Sequence, residues 1–300
     1  PDGLGEARER AEAGLMDRSF WRVIANDENA LPQGEWVAEL TPELLGWLGS
    51  TDPELRDEFA YRILAAWIER GQYGADQLRT MAKQMTANLE AGLGQQDTDS
   101  VYLRTYSVLI LMEIVAFDNA NPFLDQADLD GFLEAALSYL PRERDLRSWV
   151  PGPGWANAVG HAADLFMMLA RSPHLGATEL QRILDAIADR LLTPAPAVFV
   201  HHEDERLAYA TLNVLRRNLV DRAWLVAWLD RFTAAPGQES WRSAYASEAE
   251  SAARANVTAF LRSLYFQLIL TESPPPDAQR TSDAVLVTIR RSDIGFYDLA

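Results

Sequence analysis

Asp52-Pro53-Glu54-Leu55-Arg56-Asp57-Glu58-Phe59-Ala60-Tyr61-Arg62-Ile63-Leu64-Ala65-Ala66-Trp67 reads as the start of an amphipathic helix. Asp52 is an N-cap, Pro53 sits in the first turn, and Glu54 places an acid at the positive helix end. Leu55, Phe59, Ile63 and Trp67 then recur at intervals of four and form one apolar stripe. Thr41-Pro42-Glu43 repeats the start signal before a shorter helix that ends near Gly49. The same reading predicts helices over 74–90, 100–117, 125–139, 155–171, 177–192, 203–219, 221–234, 240–271 and 278–290. Breaks fall at Gly92/Gly94, Asn121-Pro122, Pro151-Gly152-Pro153-Gly154, Pro194/Pro196, Pro236-Gly237 and Pro274-Pro275-Pro276. These are turn chemistries, not linkers of domain scale, so a single domain over 1–300 is expected. Ala284 to Ile289 is β-branched, but its helical surroundings make it helix. The fold class expected is all-α.

The composition fits a globular chain. Of 300 residues, 48% are hydrophobic and 24% charged. A core of that size needs no disulfide or metal. The net charge of −17 and pI near 4.6 repel nucleic acid and anionic membrane, so neither is an expected partner. Lys83 is the only lysine, and there is no cysteine, which excludes thiol catalysis and thiolate metal sites. Pro1 to Glu6 carries no secretory signal, and Pro1 is not an initiator, so residues are expected upstream. No apolar run is expected to reach membrane-spanning length, because Glu113 interrupts the longest one, Val108 to Phe117. A cytoplasmic protein is expected.

One periodicity organises the helices. Arg56, Arg104, Asn157, Arg206 and Arg254 fall at spacings of 48, 53, 49 and 48, each near a helix start and each followed by a tightly packing apolar stretch. Room for one or two more helices lies between them. Stacked helical pairs of the HEAT or armadillo kind give this pattern, and a closed α/α toroid gives the same one-dimensional signal.

The helix after the Pro-Gly loop concentrates the polar groups. Asn157, His161 and Asp164 sit at i, i+4 and i+7 on one face of an otherwise small and apolar segment. Such a stripe is satisfied by partners or lines a cavity. Three readings stand open: a structural network, a ligand groove, or an acid–base or metal pair of His161 and Asp164. Glu203, Asp204 and Glu205 complement the positive end of the next helix or face a site. His201 and His202 are neighbours on an extended segment, so at most one is expected to face a given site. Arg56-Asp57, Arg104 and Asp145-Leu146-Arg147 either form an Asp–Arg ladder between repeats or project their Arg residues into a concave face to grip an anion. Glu113, half a helical turn from Arg104, is expected to meet an outer helix or its loop. Trp149 and Trp155 flank the polar stripe and are expected to reach a pocket. Walker-type, Gly-x-Gly-x-x-Gly, Gly-x-Ser-x-Gly and His-Glu-x-x-His signatures are missing.

Five of these stretches carry a family likeness: Gly49 to Asp57, Arg104 to Leu109, Asp145-Leu146-Arg147, Gly154 to Asp164, and Glu203 to Ala208. In that order they resemble the bacterial family known as domain of unknown function 2785, over most of 17–220 and weakly over 221–300. The resemblance implies a helical fold and that these polar groups belong together. It brings no activity, cofactor or catalytic residue. Where that family's Gly-Trp-x-x-Ala segment often carries His, this chain has Asn157, a poor transition-metal ligand.

The expectation is therefore a binding or scaffold module whose groove carries Arg56, Asp57, Arg104, Trp155, Asn157, His161, Asp164, Glu203 and Arg206. Its partner would be a peptide, a protein or a small anionic ligand, with no cofactor and no metal. The alternatives are a toroid enzyme using His161 and Asp164, and a purely structural polar network.

Overall fold

A computed structural model describes residues 16–292 and Tyr297. The reading of Pro1 to Glu6 lies outside them, as do residues 1–15 and most of 293–300 of the expected single domain. The described chain is all-α, as expected. Its helices are α1 (Arg18–Asn26), α2 (Val37–Trp47), α3 (Arg62–Glu69), α4 (Ala75–Asn88), α5 (Ser100–Ala120) and α6 (Gln126–Arg142). After them come α7 (Ala158–Arg171), α8 (Ala177–Leu192), α9 (Glu203–Arg216), α10 (Arg222–Asp230), α11 (Glu248–Leu270) and α12 (Ala278–Ser292). The only sheet among the described residues is a hairpin of β1 (Trp149–Val150) and β2 (Gly154–Trp155).

Two rows of helices share one core. α5 packs on α3, α7 on α5, α9 on α7 and α11 on α9. α4, α6, α8, α10 and α12 form a second row behind them. The periodic residues mark the first row. Arg104, Arg206 and Arg254 lie in α5, α9 and α11, Asn157 caps α7, and Arg56 lies in the segment leading into α3. That segment, Glu54–Tyr61, is wound wider than an α-helix: the Arg62 N–H reaches the Asp57 carbonyl five residues back.

Several boundaries differ from the sequence reading. Thr41-Pro42-Glu43 lies inside α2, because burial of Val37, Leu40 and Leu44 draws the helix start upstream. α1, capped by Asp17, was not anticipated. The expected 240–271 helix is split by Ser247, whose hydroxyl caps α11. Ala284 to Ile289 is helical, as expected.

α5 corrects the expectation about apolar runs. By length and composition it can cross a membrane, since its most apolar window carries few charged residues. Yet 67% of that window is buried inside the molecule, the placement of a core helix.

Candidate functional site

The hairpin builds one wall of a cleft. Gly154 takes φ +84°, which favours glycine, and turns the strand back over Trp149. Arg56 clamps this turn. Its guanidinium donates to Asp57 twice, at 3.0 and 3.1 Å, to the Ser50 carbonyl at 2.8 Å and to the Pro153 carbonyl at 2.6 Å. It also stacks over the rings of Tyr102 and Tyr106 at 4.3 and 4.9 Å. The clamped turn leaves Trp149 and Trp155 half-exposed and edge-to-face at 5.0 Å, with His201 against Trp155 at 5.4 Å.

The end of the hairpin sets the start of α7. The Ala156 and Asn157 N–H groups donate to Ser148 and Arg147 carbonyls. Asn157 sits in the left-handed region at φ 47°, which Asn tolerates, and its carbonyl receives the His161 N–H. Its amide folds over Gly160, where a Cβ would lie 2.5 Å from Asn157 Oδ1. The Ser148 hydroxyl donates to Glu203, tying the hairpin to the start of α9, and its oxygen lies 3.5 Å from Asn157 Oδ1.

The cleft has a volume of about 630 Å³. Of the expected site residues, Asp57, Trp155, Asn157, His161, Asp164 and Arg206 line it, together with Trp149. Three expectations are corrected. Arg104 is fully buried away from the cleft, in a bidentate pair with Glu143 at 2.6 and 3.0 Å; a buried guanidinium without a carboxylate would be costly. Arg56 stands behind the cleft with its donors occupied, so it does not project to grip an anion. Glu203 is buried and accepts from Ser148 and the His201 N–H, a structural tie. The ladder idea holds for Arg206–Asp164 at 2.5 Å. Arg56–Asp57 and Arg147–Asp145 instead pair close in sequence.

His161 forms the floor. It is 6% exposed, and its Nδ1 lies 3.3 Å from the Thr105 carbonyl. A carbonyl only accepts, so Nδ1 carries the proton and Nε2 keeps its lone pair. Nε2 has no hydrogen-bond partner among the described residues, and the ring lines the cleft. Burial, aided by the positive charges of Arg206 and Arg56, pushes the imidazole pKa down to about 3. His161 is therefore a neutral acceptor at physiological pH. Asp164 is not bonded to it. Burial raises the Asp164 carboxyl to about 6, against the pull of Arg206.

Sequence reasoning missed part of the lining. Tyr61, read as part of a packing stretch, and Tyr106, given no role of its own, lie edge-to-face at 6.1 Å, and Tyr106 meets His161 at 5.6 Å. The Tyr61 hydroxyl donates to Glu113 at 2.8 Å, so Glu113 meets the helix row of α3, not an outer helix or loop. Burial raises the Glu113 carboxyl pKa. An isolated acid inside an apolar run was the available signal, since it requires a buried partner. His201 and His202 both line the cleft, because His202 turns into the left-handed region (φ 68°) and breaks the extended alternation. Glu58 and Arg62, paired at 2.7 Å, complete the rim. Among the described residues, no group of three or more His, Asp and Glu is placed to hold a metal ion.

The family described as "Protein of unknown function (DUF2785)" matches residues 89–266, more than half of the chain. The match starts after the Gly49 to Asp57 stretch and takes in 221–266, where the sequence resemblance was weak. No curated protein and no solved structure matches.

Proposed function

The chain belongs to the DUF2785 family, and from that premise we propose that it is a binding module whose cleft holds a peptide segment or small ligand rich in hydrogen-bond donors. The observation that carries this reading is the unpartnered Nε2 of neutral His161, in a cleft also lined by Trp149, Trp155 and His201. Around it stand Asp57, Glu58 and Asp164, all acceptors. The cleft's own cations, Arg62 and Arg206, are paired to Glu58 and Asp164. An amine or amide with an apolar face satisfies such a site, and the aromatic rings favour a cationic head. A small anion finds no unpaired cation there. Successive packing of α3, α5, α7, α9 and α11 supports reading the scaffold as a HEAT-like superhelix that presents the cleft on one side.

The enzyme alternative loses its expected pair. Neutral His161 is a poor acid–base group at pH 7, and Asp164 is turned to Arg206. What favours a catalytic reading is the Asp164 carboxyl near 6, within reach of the ideal range for proton transfer.

Native mass spectrometry with a thermal-shift screen of amines, basic and neutral tripeptides, sugars, phosphates and metals tests the proposal. An amine or peptide that raises the melting temperature of the wild type, but not of His161→Ala or Trp155→Ala, supports it. Equal shifts in wild type and both variants would place binding elsewhere.

A further inference from the structure

Beyond the Asp164–Arg206 pair, the same two helices repeat the contact one rung along. Arg171 lies seven residues after Asp164, and Asn213 seven after Arg206. Arg171 Nε donates to Asn213 Oδ1 at 2.9 Å. Seven residues bring a helix back to nearly the same face, so this rung continues the cleft's wall along α7 and α9.

The chemistry of the rung differs from that of the cleft. The further contact of Arg171 is Met168 Sδ at 3.7 Å. Arg216 donates to the Ser273 carbonyl at 2.9 Å and to Thr271 Oγ1 at 3.0 Å. Neither has a carboxylate partner among the described residues. Arg216 flanks the exposed Tyr209, its guanidinium 5.6 Å from the ring, and Arg171 reaches the same helix at Asn213, whose amide donates to the Tyr209 carbonyl. Arg216 first, then Arg171, hold the Tyr209 phenol below its usual pKa, as two uncompensated cations should.

We propose that Arg171, Arg216 and the Tyr209 hydroxyl form an oxyanion-binding subsite that prolongs the groove. With Arg171 Nε held by Asn213 and the Nε and Nη2 of Arg216 held by Ser273 and Thr271, the remaining Nη donors and the hydroxyl suit a carboxylate or a phosphate. The net charge of −17 opposes anions at long range, but screening confines that field to about 8 Å at physiological salt. Seven helical residues separate the rungs by about 10 Å, the reach of about three extended peptide residues. A peptide seated by a donor-bearing side chain in the cleft would thus place a carboxylate here. That last link rests on the cleft reading; the anion site does not.

Calorimetric titration at constant ionic strength with acetate, with inorganic phosphate, and with one basic tripeptide in free-acid and amidated forms tests it. The expected result is saturable binding of acetate or phosphate that weakens about tenfold or more in the Arg171→Gln/Arg216→Gln double variant, as loss of charge-assisted bonds demands. Trp155→Ala should leave this anion binding intact. Tighter free-acid than amidated peptide would assign the site to a carboxylate, and phosphate above acetate would assign it to phosphate. No saturable anion binding, or equal binding in a double variant shown folded by circular dichroism, would overturn the proposal. Anion binding lost in Trp155→Ala but kept in the double variant would also overturn it, while leaving the cleft reading standing.

Discussion

His161→Gln should change how stability responds to acid. The folded imidazole has a pKa of about 3, against 6.5 for an unperturbed histidine. Between those values the unfolded chain binds more protons than the folded one. Stability from this group is thus present above pH 6.5 and is lost as pH falls through the window. Linkage gives a loss of about 2 kcal/mol between pH 7 and pH 5. The figure barely changes for any folded value below about 4, because at pH 5 nearly all of the penalty lies in the unfolded state. Asp164 acts in the opposite sense. Its folded carboxyl, near 6 against 3.8, takes up protons before the unfolded one and returns about 1 kcal/mol over the same interval. Urea unfolding of wild type and His161→Gln at both pH values isolates the histidine, since all other titrations are shared. The wild type should lose about 2 kcal/mol more than the variant. Equal losses would refute a buried, neutral His161.

Three further outcomes follow from the same geometry. Arg104→Met strands the Glu143 carboxylate in the core and should cost about 3–5 kcal/mol in chemical denaturation, with Arg104→Met/Glu143→Leu recovering much of that loss. Arg56→Lys keeps the charge but loses the fork to Asp57 and the Pro153 carbonyl, so acrylamide should quench tryptophan emission more strongly as the hairpin loosens. Trp155→Ala, at a half-exposed position, should change stability by less than about 1 kcal/mol while abolishing ligand-induced thermal shifts.

Helix periodicity carried most of the fold. Leu55, Phe59, Ile63 and Trp67 marked a buried stripe correctly because burial is what imposes that spacing, although Leu55 is only partly buried. The recurrence near 50 residues picked out the helices that pack in one row. It did not tell Arg104, locked on Glu143, from Arg206 at the cleft, because spacing does not report which face a partner occupies. Asn157, His161 and Asp164 were legible as a polar stripe on one face because polar side chains on a small, apolar helix need a reason, but the stripe left a network, a groove and a catalytic pair open. The wide turns at Glu54–Tyr61, the hairpin of Trp149 to Trp155 and the left-handed His202 were not legible. Each depends on a tertiary contact, such as Arg56 reaching Pro153 97 residues away. Tyr61 looked like a packing residue because it does pack, and nothing in the spacing of Tyr106 told a cleft-lining ring from a core one.

The binding proposal stands on one nitrogen. Nitrogen-15 NMR of the His161 ring in the ligand-free protein at pH 7 reads its protonation directly. A single neutral ring with the proton on Nδ1 and a bare Nε2 is the expected spectrum. An imidazolium, or a ring protonated at Nε2, would remove the acceptor from the floor of the cleft and contradict the account.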